Sequence, residues 1–116
     1  MSDYATIYRG GNRLFTLAIT DETGAALART SLASAKIELW QKGSLVATYT
    51  YGTNNEFRAG SGANEFTLEL TSAFTLNLAA RGVLSGKLFL SVTDSDFDVE
   101  PDAFKDVIET VLAEIA

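Results

Sequence analysis

The sequence predicts a mostly β domain, an antiparallel β-sandwich of about seven strands followed by a C-terminal amphipathic α-helix. Two stretches follow nearly the same plan, GNRLFTLAITD at residues 11–21 and GKLFLSVTD at residues 86–94. Each has a glycine, a basic residue, Leu-Phe, alternating apolar side chains and a closing Thr-Asp. This pattern is typical of a half-buried antiparallel strand between two turns. The length of 116 residues suits one domain with an adequate core.

Alternating apolar side chains predict strands at residues 4–8, 13–20, 35–40, 65–71 and 83–93. On the same alternation we expect one face of these strands to form a shared core. Its predicted members are Phe15, Leu17, Ile19, Ile37, Leu39, Phe66, Leu68, Leu70, Leu88, Leu90 and Val92.

The hairpin after residue 40 allows two registers. A two-residue turn at Lys42-Gly43 pairs Trp40 with Leu45 but spreads apolar side chains over both faces. A three-residue loop that includes Gln41, with the glycine in a bulge, pairs Leu39 with Leu45 and keeps one face apolar. We therefore favour the three-residue loop, which places Trp40 and Val46 together on the outer, polar face.

Residues 52–64 (GTNNEFRAGSGAN) form the one long predicted loop, with Phe57 and Arg58 at its centre. Loops of this length are usually functional or disordered, so both residues are candidate contact residues. The next segment, residues 72–81, fits either a helical turn or an edge strand.

The last sixteen residues predict an amphipathic helix, with Pro101 in its first turn. Its apolar stripe consists of Phe104, Val107, Ile108, Val111, Leu112 and Ile115. The predicted organisation is a β-sandwich at residues 1–94, an acidic hinge at 95–100 and the helix at 101–116. An isolated helix of this length is marginal in water. We expect it to dock on the outward Trp40 and Val46, of its own subunit or of a neighbour.

The hinge and the residues next to it are rich in carboxylates, because Asp94, Asp96, Asp98, Glu100 and Asp102 alternate there. Calcium favours several carboxylate oxygens from one loop. An EF-hand loop, however, needs a glycine where Val99 stands and a glutamate where Lys105 stands. We therefore interpret the segment as a solvated hinge and expect no metal site.

The composition excludes several functions. The chain has no cysteine and no histidine, which rules out thiolate metal sites, cysteine nucleophiles and histidine-dependent catalysis. A formal net charge of −6 opposes nucleic-acid binding. The N-terminal residues lack the apolar segment of a signal peptide, and no window is long enough for a membrane span. We expect a soluble, non-enzymatic protein without a cofactor, which binds neither nucleic acid nor a membrane.

The order of these signals resembles the immunoglobulin-like domain at the N-terminus of phage baseplate upper proteins and related tail-associated proteins. The likeness rests on GGNRLFTLAITDETG (residues 10–24), ASAKIELWQKGSLVATYTY (33–51), FTLEL with the following threonine (66–71) and SGKLFLSVTD (85–94), and covers about residues 5–94. It implies an immunoglobulin-like sandwich that acts as a structural connector, forms rings or trimers in a virion and has no cofactor.

On this resemblance we expect a structural or assembly module of a phage virion, in the tail, the baseplate or a capsid-associated position. Its partners would be other copies of itself, as a homo-oligomer, or other virion proteins. It would reside in the virion, and in the cytoplasm of the bacterial host before assembly. The expected contact residues are Trp40, Val46, Phe57, Arg58, Phe104, Val107, Ile108, Val111, Leu112 and Ile115. The alternative is a carbohydrate- or surface-binding module that uses Trp40 and the 52–64 loop, because aromatic rings can stack on sugars.

Overall fold

The computed structural model describes residues 5–20, 23–92, 96, 98–99 and 104–115, and only the backbone of Ala5 and of residues 104–110. The strands are β1 (Ala5–Ile7), β2 (Arg13–Ala18), β3 (Leu32–Gln41), β4 (Ser44–Thr50), β5 (Phe57–Ala59), β6 (Glu65–Leu70), β7 (Val83–Val92) and β8 (Phe104–Ile115). A 3₁₀ turn (Arg29–Ser31) precedes β3, and a short helix, α1 (Ser72–Leu76), precedes β7. The chain is therefore mostly β, as its alternating sequence predicts.

The strands form two sheets. The larger sheet has five strands in the order β1-β8-β7-β3-β4, and the smaller has three in the order β2-β6-β5. β1 pairs with β8 in parallel, whereas all the other pairs are antiparallel. Buried side chains of both sheets belong to one hydrophobic cluster, to which Phe57 of β5 and Leu84 of β7 also contribute.

The predicted core is largely confirmed. Its fully or almost fully buried members are Ile19, Ile37, Leu39, Phe66, Leu68, Leu70, Leu88 and Leu90. Phe15 and Leu17 pack against this cluster but stay partly exposed, because β2 lies at the edge of the smaller sheet. Val92, at the end of β7, is half-buried.

The predicted C-terminal helix is wrong. Residues 104–115 form β8, which pairs antiparallel with β7 from Val83↔Glu114 to Ser91↔Phe104 and parallel with β1. β8 is therefore the second strand of the larger sheet. Strands of the same sheet therefore lie on both sides of the predicted boundary at residue 94. Pro101 and most of the predicted hinge lie outside the described residues.

A register shift in the β7–β8 pair explains how the end of the helix-like sequence fits a strand. The shift lies between Leu84 and Ser85 of β7. Opposite it, Leu112 and Ala113 are consecutive residues of β8 and both are buried, whereas Val111 is exposed. Bulges of this kind interrupt strict alternation. The run Val111-Leu112-Ala113 is therefore accommodated in the sheet.

The β3–β4 hairpin also differs from the favoured register. The turn has two residues, Lys42 and Gly43, both with positive φ (53° and 76°), as a type I′ turn requires. It pairs Trp40 with Leu45, and a bulge at Val46 then pairs Leu39 with Ala47. Because Val46 is an extra residue in β4, the apolar side chains of the two strands beyond it lie on one face. The three-residue loop was favoured because it was expected to give the same result.

The loop at residues 52–64 contains β5, so part of it belongs to the smaller sheet. The sequence of residues 72–81 fits either a helical turn or an edge strand, and in the structure this segment begins with the helix α1. The buried Thr75 of α1 donates a hydrogen bond to the Gly11 carbonyl at 2.7 Å and accepts one from the Gly10 N–H at 3.1 Å. α1 is thereby attached to the β1–β2 turn. Within the described residues, no helix has the length and apolar character to cross a membrane.

Candidate functional site

The outer face of the five-stranded sheet, which points away from the core, carries a row of side chains across four strands. Leu45 of β4 pairs with Trp40 of β3, Trp40 pairs with Ser85 of β7, and Ser85 pairs with Val111 of β8. Directly paired residues of antiparallel strands share a face. Leu45 is 49% exposed and Val111 43%, and Trp40 is half-buried. We call these four residues the apolar row; it spans about 14 Å at the usual strand spacing.

A charged row lies beside the apolar row. Glu38 of β3 pairs with Lys87 of β7, one step along the strands from Trp40. The Lys87 Nζ lies 4.9 Å from the centroid of the Trp40 ring, and the Trp40 indole N–H donates to the Glu38 carboxylate at 3.2 Å. The indole is therefore held by a cation–π contact and a hydrogen bond. Such contacts restrict rotation of the ring.

The same pattern repeats one pair further along the sheet. Lys36 pairs with Phe89, and its Nζ lies 4.8 Å from the Phe89 ring centroid. Lys36 is also 3.9 Å from the second oxygen of Glu38. Glu38 thus stands between two lysines, and each lysine lies over one aromatic ring. The face combines apolar area with a fixed set of charges.

The structure divides the expected contact residues into groups. Trp40 and Val111 belong to the apolar row, and Val46 is in the adjacent bulge and 39% exposed. Phe57 is fully buried, and so is Ile115, while Leu112 is 6% exposed. These three are core residues and not contact residues, because their side chains face the hydrophobic cluster. Phe104, Val107 and Ile108 lie on β8, and their side chains are outside the description.

Arg58 lies on the other sheet, away from the apolar row. Its Nη1 donates to Glu69 Oε1 at 2.7 Å and to the Asn55 carbonyl at 3.0 Å. Arg58 separates two open clefts. One, of about 370 Å³, is lined by Tyr51 and residues 52–55 and 57–59; the other, of about 480 Å³, by Asn12, Arg13, Leu14 and the Arg58–Glu69 pair.

Trp40 and the 52–64 loop do not form one site. Trp40 is beside Leu45 near the start of β4, and the loop begins after Tyr51, beyond the end of the same strand. Six residues of extended chain span about 20 Å. A ligand that contacts both would have to be at least that long.

The remaining polar features have structural roles or do not converge. No group of three or more acidic side chains in the described part of the chain is placed to hold a metal ion. Of the five alternating acidic residues of the hinge, Asp94, Glu100 and Asp102 lie outside the described residues. Arg29 donates to the carbonyls of Gly62 and Glu65 and so attaches the β2–β3 connection to the loop before β6.

The sequence predicts Trp40, Glu38 and Val46 on the outer face, and it predicts Val111 as a contact residue, but on a helix. Leu45 is predicted on the inner face, because the favoured hairpin register lacks the bulge at Val46. Ser85 and Val111 join the row only through the pairing of β7 with β3 and β8. The signal that the sequence offers for the row is an apolar residue at an outward position on two different strands. Comparison with models of protein families, with curated proteins and with solved structures finds no match to this chain.

Proposed function

We propose that this chain is an immunoglobulin-like β-sandwich that acts as a non-catalytic protein-contact module, and that its contact surface is the apolar row with the charged row beside it. The observation that supports this most strongly is the partly exposed row of Leu45, Trp40 and Val111 beside Glu38 and Lys87. An apolar centre with a charged border is the usual composition of a protein interface, and tryptophan is enriched among the residues that dominate binding energy.

The shape of the surface favours a macromolecular partner. The row lies across the outer face of a sheet, whereas small-molecule sites are concave and enclose most of their ligand. The Lys87 ammonium already lies over the Trp40 ring. A sugar that stacked on this face of the indole would have to displace it. The lack of histidine and cysteine supports a role without catalysis.

The resemblance to phage tail-associated domains supports a more specific form of this proposal. In that form the module is a structural part of a virion, in the tail, the baseplate or a capsid-associated position. It reaches the virion from the cytoplasm of the bacterial host. Its partners are then virion proteins or further copies of this chain.

The test is site-specific photo-cross-linking in the cells that produce the protein. A photoreactive amino acid at Leu45 should give a discrete adduct, and the same amino acid at Thr53, in the 52–64 loop, should not. The adduct should disappear when Trp40→Ser is added, while the circular dichroism spectrum stays unchanged. An adduct that persists with Trp40→Ser, or equal adducts from both positions, would contradict the proposed surface.

A second candidate function uses the 370 Å³ cleft at the 52–64 loop, without Trp40. Tyr51, Asn55 and Arg58 offer an aromatic edge and polar groups in one open cleft, a composition that suits a polar ligand such as a saccharide. Titration with a panel of oligosaccharides should then perturb the NMR signals of residues 51–59, and Tyr51→Ala should abolish the effect. Saturating oligosaccharide without such shifts would exclude this candidate.

A further inference from the structure

β2 and β5 are the two edge strands of the three-stranded sheet, and β2, with six residues against three, is the longer. It pairs with β6 in a register that runs from Arg13↔Leu70 to Ala18↔Glu65, and the Ile19 N–H continues the ladder by donating to the Asn64 carbonyl at 2.8 Å. In an antiparallel ladder, residues that bond to the neighbouring strand alternate with residues that do not. Since Ile19 bonds toward β6, the N–H and C=O groups of Leu14, Thr16 and Ala18 point toward the open edge.

These open-edge groups have no backbone hydrogen bond to the described residues outside the ladder. Leu14 is 61% exposed, and Thr16 and Ala18 are exposed as well. On β4, an edge strand of the larger sheet, the Thr50 N–H donates to Asn54 Oδ1 at 2.8 Å and the Thr50 carbonyl accepts from the Asn54 N–H at 2.9 Å, so the outward groups of this last residue are paired. β4 also has the bulge at Val46, and bulges are one of the devices that protect sheet edges. The described part of β2 has a regular register and no bulge.

The side chains of β2 also suit an additional strand. Phe15 and Leu17 point toward the core but are only partly buried. On the outer face, Thr16 pairs with Thr67 of β6. Between Leu14 and Ala18 the strand has no charged residue. A strand added at this edge would cover the two apolar side chains without burying a charge.

We propose that β2 pairs antiparallel with β2 of a second copy of this chain, about a two-fold axis at Thr16, so that the two small sheets join into one. In this register Thr16 lies opposite the partner's Thr16, and Leu14 lies opposite the partner's Ala18. In this register the open-edge N–H and C=O groups of Leu14, Thr16 and Ala18 all lie opposite open-edge groups of the partner. Phe15 then lies beside the partner's Leu17, and a row of threonines crosses the joint, a favourable cross-strand combination.

Charge at the joint does not prevent pairing with a second copy. The net charge of −6 makes two copies repel each other, but residues 14–18, which form the joint, carry no charge. The antiparallel pairing puts the two Arg13 residues at opposite ends of the joint, about 20 Å apart, so the two guanidinium groups do not meet. This inference goes beyond the proposed function, because it uses a surface separate from the apolar row.

The test is the mass of the full chain in solution, measured by analytical ultracentrifugation over a range of concentrations. The wild type should reach twice the chain mass of 12.4 kDa. Thr16→Lys puts two lysines opposite each other and should weaken dimerisation by up to about fivefold. Thr48→Lys makes the same change at an exposed residue of β4 and should leave the dimer intact. Melting temperatures at concentrations where the wild type is monomeric check that the variants are folded.

A charge exchange then tests the register. Thr16→Lys and Thr16→Glu should each dimerise more weakly than the wild type. At a concentration at which each variant alone is mainly monomeric, an equimolar mixture should form a heterodimer, because lysine of one variant then faces glutamate of the other. If Thr16→Lys does not fold, the solution mass is measured for Thr16→Glu, and Thr48→Glu is the control. A monomeric wild type, a dimer unaffected by both Thr16 variants, or a mixture that stays monomeric would each overturn the proposal. Trp40→Ser should leave this dimer unchanged, so the contact-surface proposal and this one can fail independently.

Discussion

The side-chain amide of Gln41 makes two hydrogen bonds to the backbone of Ala79. Its Nε2 donates to the Ala79 carbonyl and its Oε1 accepts from the Ala79 N–H, both at 2.8 Å. Gln41 is 5% exposed and ends β3, and Ala79 lies between α1 and β7. A β-carbon at Gly82 would lie 2.7 Å from the same Nε2. The glycine therefore leaves the space in which Gln41 holds this connection against the larger sheet.

Gln41→Ala should lower the free energy of unfolding by about 1–3 kcal/mol, because it removes both hydrogen bonds at a buried position. Urea unfolding followed by circular dichroism measures the loss. Thr48→Ala, at an exposed residue of β4, is the control and should stay within about 0.5 kcal/mol of the wild type. Equal midpoints for Gln41→Ala and the wild type would show that these hydrogen bonds contribute nothing.

Gly82→Ala should destabilise the protein by a similar amount, because the new methyl group displaces the Gln41 amide. In the Gln41→Ala background the same substitution should cost much less, since the amide is gone. The double-mutant cycle should therefore show a coupling of about 1 kcal/mol or more between the two positions. Strictly additive effects would mean that Gly82 acts through something other than Gln41.

Leu90→Ala should cost about 2–5 kcal/mol, the usual range for leucine truncation in a packed core. Leu90 is 1% exposed and belongs to the cluster shared by the two sheets. Leu76→Ala removes the same atoms from a residue that is 56% exposed, and should cost far less. A comparable loss at both positions, measured by thermal and urea unfolding, would contradict the assignment of the inner face.

The strands with strict alternation were predictable because their pattern depends only on local sequence. β6, with Phe66, Leu68 and Leu70 inward, is the clearest case. β8 was not predictable in this way. Its apolar residues come in pairs, such as Val111 and Leu112, which fit a helical stripe as well as a bulged strand. The choice depends on hydrogen bonds to β7 and β1, which are distant in the sequence.

The contact surface around Trp40 could be predicted from the sequence only in part. The outward direction of Trp40 follows from its alternation with the apolar Ile37 and Leu39, which are buried. The contact between Trp40 and Lys87 requires the β3–β7 register, which joins residues more than forty positions apart. Nothing in the local sequence distinguishes Arg13 and Leu14 from other surface residues. Their significance arises only because β2 is the edge of its sheet.

The stability of the protein should fall in alkaline solution partly through Tyr49. Burial of its hydroxyl, with an additional effect of the negative charge of Glu56, raises the pKa of Tyr49 above the ordinary value of 10.0. A raised pKa means that the folded state holds the proton more tightly than the unfolded state. This contribution is complete below pH 10.0 and is lost as the pH rises through the folded-state pKa.

Tyr49→Phe should therefore unfold with a shallower loss of stability above pH 10.0 than the wild type. Tyr51→Phe, at a residue that is 37% exposed, provides the matched control. Chemical unfolding at a series of alkaline pH values measures both. Parallel curves for Tyr49→Phe and the wild type would exclude a role for the Tyr49 hydroxyl in alkaline unfolding.

Residues 104–115 pair within the sheet and therefore do not cover the outer face around Trp40 as a helix. Solution NMR of the full chain distinguishes the two arrangements. We expect cross-strand backbone NOEs between residues 85–89 and 107–111, together with slow amide exchange along β8. A continuous series of helical i,i+3 NOEs through residues 104–115, with contacts from these residues to the Trp40 ring, would contradict the strand pairing.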